Sequence, residues 1–168
     1  VGVEQGERLR RLLEELLDLS RLDAKAIDVE PRPVVLRAAL GDIVAGALPD
    51  DGVELDVPED LAAVIDPLIL DRVVTNLLVN AVNYGALPIR IEARQRDLHL
   101  RIAVEDSGPG IPPELEERIF DRFARGAQSG HGLGLAIARA YAQAHGGDLI
   151  YVPRGGGARF ELLIPQLA

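Results

Sequence analysis

The sequence predicts an α+β fold: a two-layer sandwich in which helices cover one face of a mixed, mostly antiparallel sheet. Three observations predict it. Segments with apolar residues at three- and four-residue steps recur near the start, before residue 84 and near residue 140, as amphipathic helices require. Short alternating segments at 89–94, 98–104 and 158–164 read as strands. Neighbouring strand patterns are joined by polar or glycine-rich turns, which suits antiparallel pairing, and the helices fall in runs to one side of them.

Taken in order, Leu9, Leu12, Leu13, Leu16, Leu19 and Leu22 give Glu7 to Asp23 an apolar stripe between Arg and Glu residues. Such a helix wants a partner, and the spacing fits helix pairing or dimerisation. Asp28 to Pro33, with two prolines, reads as a linker. A short helix is expected over Val34 to Ala47 and a strand over Val53 to Val57. Asp66-Pro67 opens the next helix, since the Asp carboxylate accepts from free amides and Pro suits the first helical position; it should run to about Asn83. The strands at Ile89–Arg94 and Leu98–Val104 turn at Arg96-Asp97. Pro112-Pro113 opens a short helix through Ile119, Leu133 to His145 forms another, and Leu149–Val152 with Ala158–Ile164 closes the chain as a hairpin.

Composition narrows the function. With 168 residues and 48% apolar content, the chain can bury the core of one domain plus an appendage. Cys is absent and the three His are dispersed, so disulfides and zinc sites are not expected. A net charge of −9 with scattered Arg offers no face to nucleic acid. No apolar run approaches the roughly 20 residues that span a bilayer, so the chain is not expected to insert in a membrane. It contains no Met and opens inside a helix pattern, so we expect it to be a piece of a longer protein.

Four segments carry chemistry. Asn76, Asn80 and Asn83 project from one face of a helix whose Val73, Val74 and Leu77 can face the core. Their carbonyls are hard oxygen donors, and Mg²⁺ needs few protein ligands when substrate phosphates supply others. Asp106 leaves a strand and turns through Gly108-Pro109-Gly110-Ile111; its carboxylate can accept from an exocyclic amine, though Asp-Ser-Gly is also a plain turn. Gly130, His131, Gly132, Leu133 and Gly134 run into a helix start, where backbone N–H groups and the helix dipole favour phosphate. No strand directly precedes this loop, which argues against a dinucleotide fold. Arg122 and Arg125 lie just upstream, where positive charge would suit phosphates. Gly155-Gly156-Gly157 with Ala158 is the fourth segment.

In this order, and joined by Ile119-Phe120-Asp121-Arg122-Phe123, the segments resemble the ATP-binding catalytic domain of bacterial sensor histidine kinases, the transferases of two-component signal transduction. Their superfamily is shared with gyrase, the heat-shock chaperone and mismatch-repair ATPases. The resemblance covers roughly 34–168. It implies that Asn76 and Asn80 contact Mg²⁺ and phosphate and are the catalytic pair, that Tyr84 flanks the adenine, and that Asp106, with Gly108 and Gly110, binds its amine. It implies that Phe120 and Phe123 form the aromatic box and that Gly130, Gly132 and Gly134 belong to a short glycine lid over the nucleotide site. Residues 1–27 resemble the end of the dimerisation and phosphoacceptor domain, with 28–33 as the linker.

The implied function is binding of ATP with Mg²⁺ and, in the intact homodimer, phosphorelay from the γ-phosphoryl to a histidine and on to a response regulator. The implied location is the cytoplasm, with the parent protein soluble or membrane-anchored. The family usually has a basic residue where this chain has Asn83 and often Thr where it has Ala158, which predicts one phosphate contact weakened or supplied elsewhere, by Arg122, and one missing hydroxyl. None of His99, His131 and His145 has the acidic neighbour and helical setting of a phosphoacceptor, so the chain alone is not expected to phosphorylate itself. Two rival readings stand beside this one: a regulatory dimerisation module with a degenerate site, and a superfamily ATPase or serine kinase.

Overall fold

The computed structural model describes residues 2–48, 51–123 and 132–166. Its helices are α1 (Gly2–Asp23), α2 (Leu36–Ala47), α3 (Pro67–Tyr84) and α4 (Gly134–Ala144), with a 3₁₀ turn at Pro113–Arg118. Its strands are β1 (Arg32–Val35), β2 (Val53–Asp56), β3 (Ala62–Ile65), β4 (Ile89–Arg96), β5 (His99–Glu105), β6 (Asp148–Val152) and β7 (Arg159–Pro165). The main sheet has the order β2-β4-β5-β7-β6. Only β2 and β4 pair in parallel there, so the expected mixed, mostly antiparallel sheet is present.

Strand alternation divides this sheet into two faces. Ile89, Ile91, Leu100, Ile102, Leu162 and Ile164 are fully buried on one, packed into a single core with Ile69, Val73, Val74 and Leu78 of α3 and Ile137 and Ala138 of α4. The other face carries charge. Arg159 pairs with Glu105 and Glu161, Arg154 with Glu105, and Arg90 and Arg94 with Asp56. Among the described residues the helices therefore lie on one face, as the fold class predicts.

Sequence and structure differ in several places. Residues 28–33 are not wholly a linker, because Arg32 and Pro33 begin β1, which pairs antiparallel with β3 in a separate two-stranded sheet. Neither strand was anticipated. The expected short helix after Pro112 is present at Pro113–Arg118 and winds as 3₁₀. The β4–β5 turn sits at 97–98, one residue later than expected, with Asp97 in the left-handed region at φ 54°.

The Asp66 cap forms as expected and does more. Its Oδ1 accepts from the N–H groups of Leu68 (2.8 Å) and Ile69 (3.3 Å), its Oδ2 accepts from the N–H of Glu30 (2.8 Å), and its own N–H donates to His145 Nε2 (2.9 Å). The start of α3, the end of α4 and the segment after α1 meet at this one residue. His145 thus has a structural partner at the start of α3.

Helix α1 buries Leu19 and half-buries Leu12 and Leu22 against the rest of the chain, while Leu9, Leu13, Leu16 and Leu17 stay exposed. Burying one leucine contributes about 1.5–3 kcal/mol. Asp18 accepts from the Tyr141 hydroxyl of α4 (3.3 Å), and Asp23 pairs with Arg122 (2.7 Å). Burial, with the Asp18 charge beside it, pushes the Tyr141 hydroxyl pKa up. Among the described residues, no helix is long and apolar enough to cross a membrane.

Candidate nucleotide site

Helix α3 supplies the amide face. Val73, Val74, Leu77, Leu78 and Ala81 are buried, which leaves Asn76, Asn80 and Asn83 half-buried along the side the spacing predicts. Asn76 faces the start of α4: a Cβ built on Gly134 would lie 3.8 Å from its Oδ1. Among the described residues no side chain caps the first turn of α4, whose Gly134 lies next to Asn76. Gly132, at φ 69°, turns the chain into this helix, and Leu133 is fully buried beneath it.

Asp106 lies at the end of β5 and is 7% exposed. Its Oδ1 accepts from the N–H of Gly108 (2.8 Å) and of Ala158 (3.3 Å), and its own N–H donates to the Ala158 carbonyl (3.0 Å). Oδ2 takes no hydrogen bond from the described residues. One oxygen is thus fixed by the protein and the other is left to accept from something else. Gly157, at φ 91°, makes this approach possible, since a Cβ there would come within 2.0 Å of the Asp106 carbonyl oxygen. Gly110 is also left-handed (φ 80°), and Ile111 is nearly buried after it.

The turn is stitched to the end of α3. The Ser107 N–H donates to the Ala86 carbonyl (2.9 Å), and the Ser107 hydroxyl donates to the Pro88 carbonyl (2.7 Å). Tyr84, the last residue of α3, is half-buried beside this seam. The structure therefore links the acidic turn to the segment that directly follows the helix carrying the three amides.

Phe120 packs edge-on against Phe160 with centroids 6.1 Å apart, under the Arg139 guanidinium 5.0 Å from its ring. Phe123 differs from it, being 57% exposed at φ 63°, and its N–H donates to the Gly132 carbonyl (2.8 Å). The guanidinium of Arg122, the residue expected to lend charge to the phosphates, pairs with Asp23 of α1. Gly130, His131 and Arg125 lie outside the described residues.

The donor set fits a cation held jointly with a ligand. Among the described residues no group of three or more His, Asp or Glu is placed to hold a metal, so a preformed carboxylate cage is not what the site offers. The carbonyls of Asn76 and Asn80 fit Mg²⁺, which takes few protein ligands and completes its shell with water and phosphate oxygens. Gly85 and Ser107 were not anticipated. A glycine directly after a long helix reads as a C-cap, and its contact with Asp106 appears only when the fold brings residues 85 and 106 together.

The sequence model described as "Histidine kinase-, DNA gyrase B-, and HSP90-like ATPase" matches residues 65–168. The chain is 37% identical over 166 residues to "Sensor protein KdpD" of Escherichia coli K12, an alignment covering 93% of this chain and 19% of that protein. The fold is similar to that of the Acinetobacter baumannii histidine kinase AdeS, with a TM-score of 0.83 and 24% identity over 99% of this chain and 82% of that one. It is also similar to full-length ShkA in complex with AMPPNP, with a TM-score of 0.78 and 29% identity over 98% of this chain and 38% of that one. The chain thus spans about a fifth of the length of the curated relative KdpD.

Proposed function

The chain belongs to the histidine kinase-, DNA gyrase B- and HSP90-like ATPase family, and from that premise we propose that it binds ATP with Mg²⁺ as the catalytic domain of a sensor histidine kinase. The observation that carries this reading is Asp106, buried at a strand end with one carboxylate oxygen held by two backbone N–H groups and the other left to accept from the adenine amine. Asn76 and Asn80 would hold the metal, and the first-turn N–H groups of α4 beside them would face the phosphates. When bound, Mg²⁺ supplies charge neutralisation at the phosphate oxygens. That local positive charge is what lets a chain of net charge −9 accept a polyanion.

In the intact protein the γ-phosphoryl passes to a histidine of the dimerisation domain and then to a response regulator. Residues 1–27 belong to the end of that domain, with α1 (Gly2–Asp23) coming from its second helix, and the exposed Leu9, Leu13, Leu16 and Leu17 suit packing in a homodimer. The catalytic contribution of 34–168 is positioning and electrostatics rather than covalent chemistry.

Calorimetric titration with a non-hydrolysable ATP analogue, with and without Mg²⁺ and against a GTP analogue, tests the proposal. Adenine-selective binding strengthened by Mg²⁺ is expected. No binding by a folded sample would overturn it in favour of a regulatory module that acts by contact.

A further inference from the structure

Gly85 follows the last residue of α3, with φ −108° and ψ −145°. What its position forbids is bulk. A Cβ built there would lie 2.3 Å from Asp106 Cγ, 2.4 Å from Oδ2 and 2.6 Å from Oδ1. The contact is reciprocal around the turn, since a Cβ on Gly108 would meet the Gly85 Cα at 2.6 Å. Neither side can easily give way. Ser107 ties the turn to Ala86 and Pro88 through its N–H and hydroxyl, and Asp106 Oδ1 is held by Gly108 and Ala158. The most movable atoms in reach of an added methyl are therefore the Asp106 carboxylate oxygens themselves.

We propose that Gly85 is a specificity-determining position: the lack of a side chain there lets the Asp106 carboxylate stand where it accepts from the 6-amino group of the base. Gly85 touches no substrate in this account and acts through Asp106. The inference rests on the ATP reading given above. Gly85→Ala displaces Oδ2 and removes recognition of that amine, while the amide face of α3 and the phosphate end of α4 stay in place.

Inosine triphosphate, which carries a carbonyl where ATP carries the amine, separates this effect from general damage. In the whole chain, Gly85→Ala is expected to weaken ATP-analogue binding about tenfold to hundredfold, the range for a hydrogen bond to a charged group. Inosine-nucleotide affinity should stay within about twofold, so that selectivity collapses. Equal weakening of both nucleotides, or no change in either, overturns the proposal. Failure of the unsubstituted chain to bind any nucleotide instead overturns the ATP reading beneath it.

A stability cycle decides the contact even if Gly85→Ala folds poorly. Removing the carboxylate removes the clash, so Gly85→Ala should be destabilising beside Asp106 and near neutral beside Asp106→Ala in urea unfolding. Additive effects of the two substitutions would show that the added methyl does not meet Asp106, and the proposal would fail.

Discussion

The side-chain amide of Gln166 closes on both peptide groups of Val64: its Oε1 accepts from the Val64 N–H at 2.8 Å, and its Nε2 donates to the Val64 carbonyl at 2.9 Å. The Gln166 N–H in turn donates to Leu98 at the β4–β5 turn. One side chain thus does for β3 what a neighbouring strand would, and it fastens the two-stranded sheet to the main one.

Replacing that amide should be felt as stability. Gln166 is 7% exposed, so Gln166→Ala leaves two backbone groups of β3 without their partner, at a cost of about 1–3 kcal/mol. Urea unfolding should show a lower midpoint with an unchanged slope. A midpoint equal to that of the parent chain would mean that water replaces the amide without loss.

Asp66→Ala should cost more than an ordinary cap, because three N–H acceptor contacts go at once, one of them to Glu30 beyond the helix. A lone cap is worth about 1 kcal/mol, and about 2–3 kcal/mol is expected here. Asp66→Asn keeps a carbonyl acceptor toward α3 and should recover most of the cap. Recovery of nothing by Asn would show that the charge, rather than the hydrogen bonds, holds the junction.

Asn80→Ala removes a half-buried amide from the face proposed to hold Mg²⁺. Its unfolding free energy should change by no more than about 0.5 kcal/mol, as for a surface site. The gain in ATP-analogue affinity on adding Mg²⁺ should disappear. An undiminished gain, read by calorimetry, would remove Asn80 from the metal site.

Acid should weaken the charged face of the sheet. Burial pushes the Glu105 carboxyl up, but hydrogen bonds from Arg159 and Arg154 outweigh it and hold the group below its ordinary value of 4.5. A carboxyl depressed in the folded state stabilises above its unfolded pKa, and that contribution is lost as pH falls through the lower folded value. Glu105→Gln should therefore be less stable than the parent near neutrality and lose less on descending from about pH 6 to about pH 3. Parallel stability curves over that window would rule out Glu105 as a source of the acid sensitivity.

The sequence was readable where one local rule decides the outcome. Asp66-Pro67 marks the start of α3 because cap and ring constraints act within four residues, and alternation in β4 and β5 shows because each has one buried face. Strands β1 and β3 were invisible for the opposite reason. Four residues each, one with a proline and one a plain apolar run, they owe their state to each other and to Gln166, far along the chain. The site divides in the same way. Asn76, Asn80 and Asp106 could be chosen by type and spacing, whereas the pairing of Arg122 with Asp23 depends on where α1 lies.

That placement of α1 has a directional consequence. Asp18, Leu19, Leu22 and Asp23 make its contacts with Tyr141, the core and Arg122, and at about 100° per residue they span an arc of only about 140° of the helix circumference. Turning α1 about its own axis by one residue's step swings the arc away from α4, whereas sliding it by one residue's rise shifts it by only about 1.5 Å. Those contacts are therefore set far more by the rotation of α1 about its axis than by its position along it.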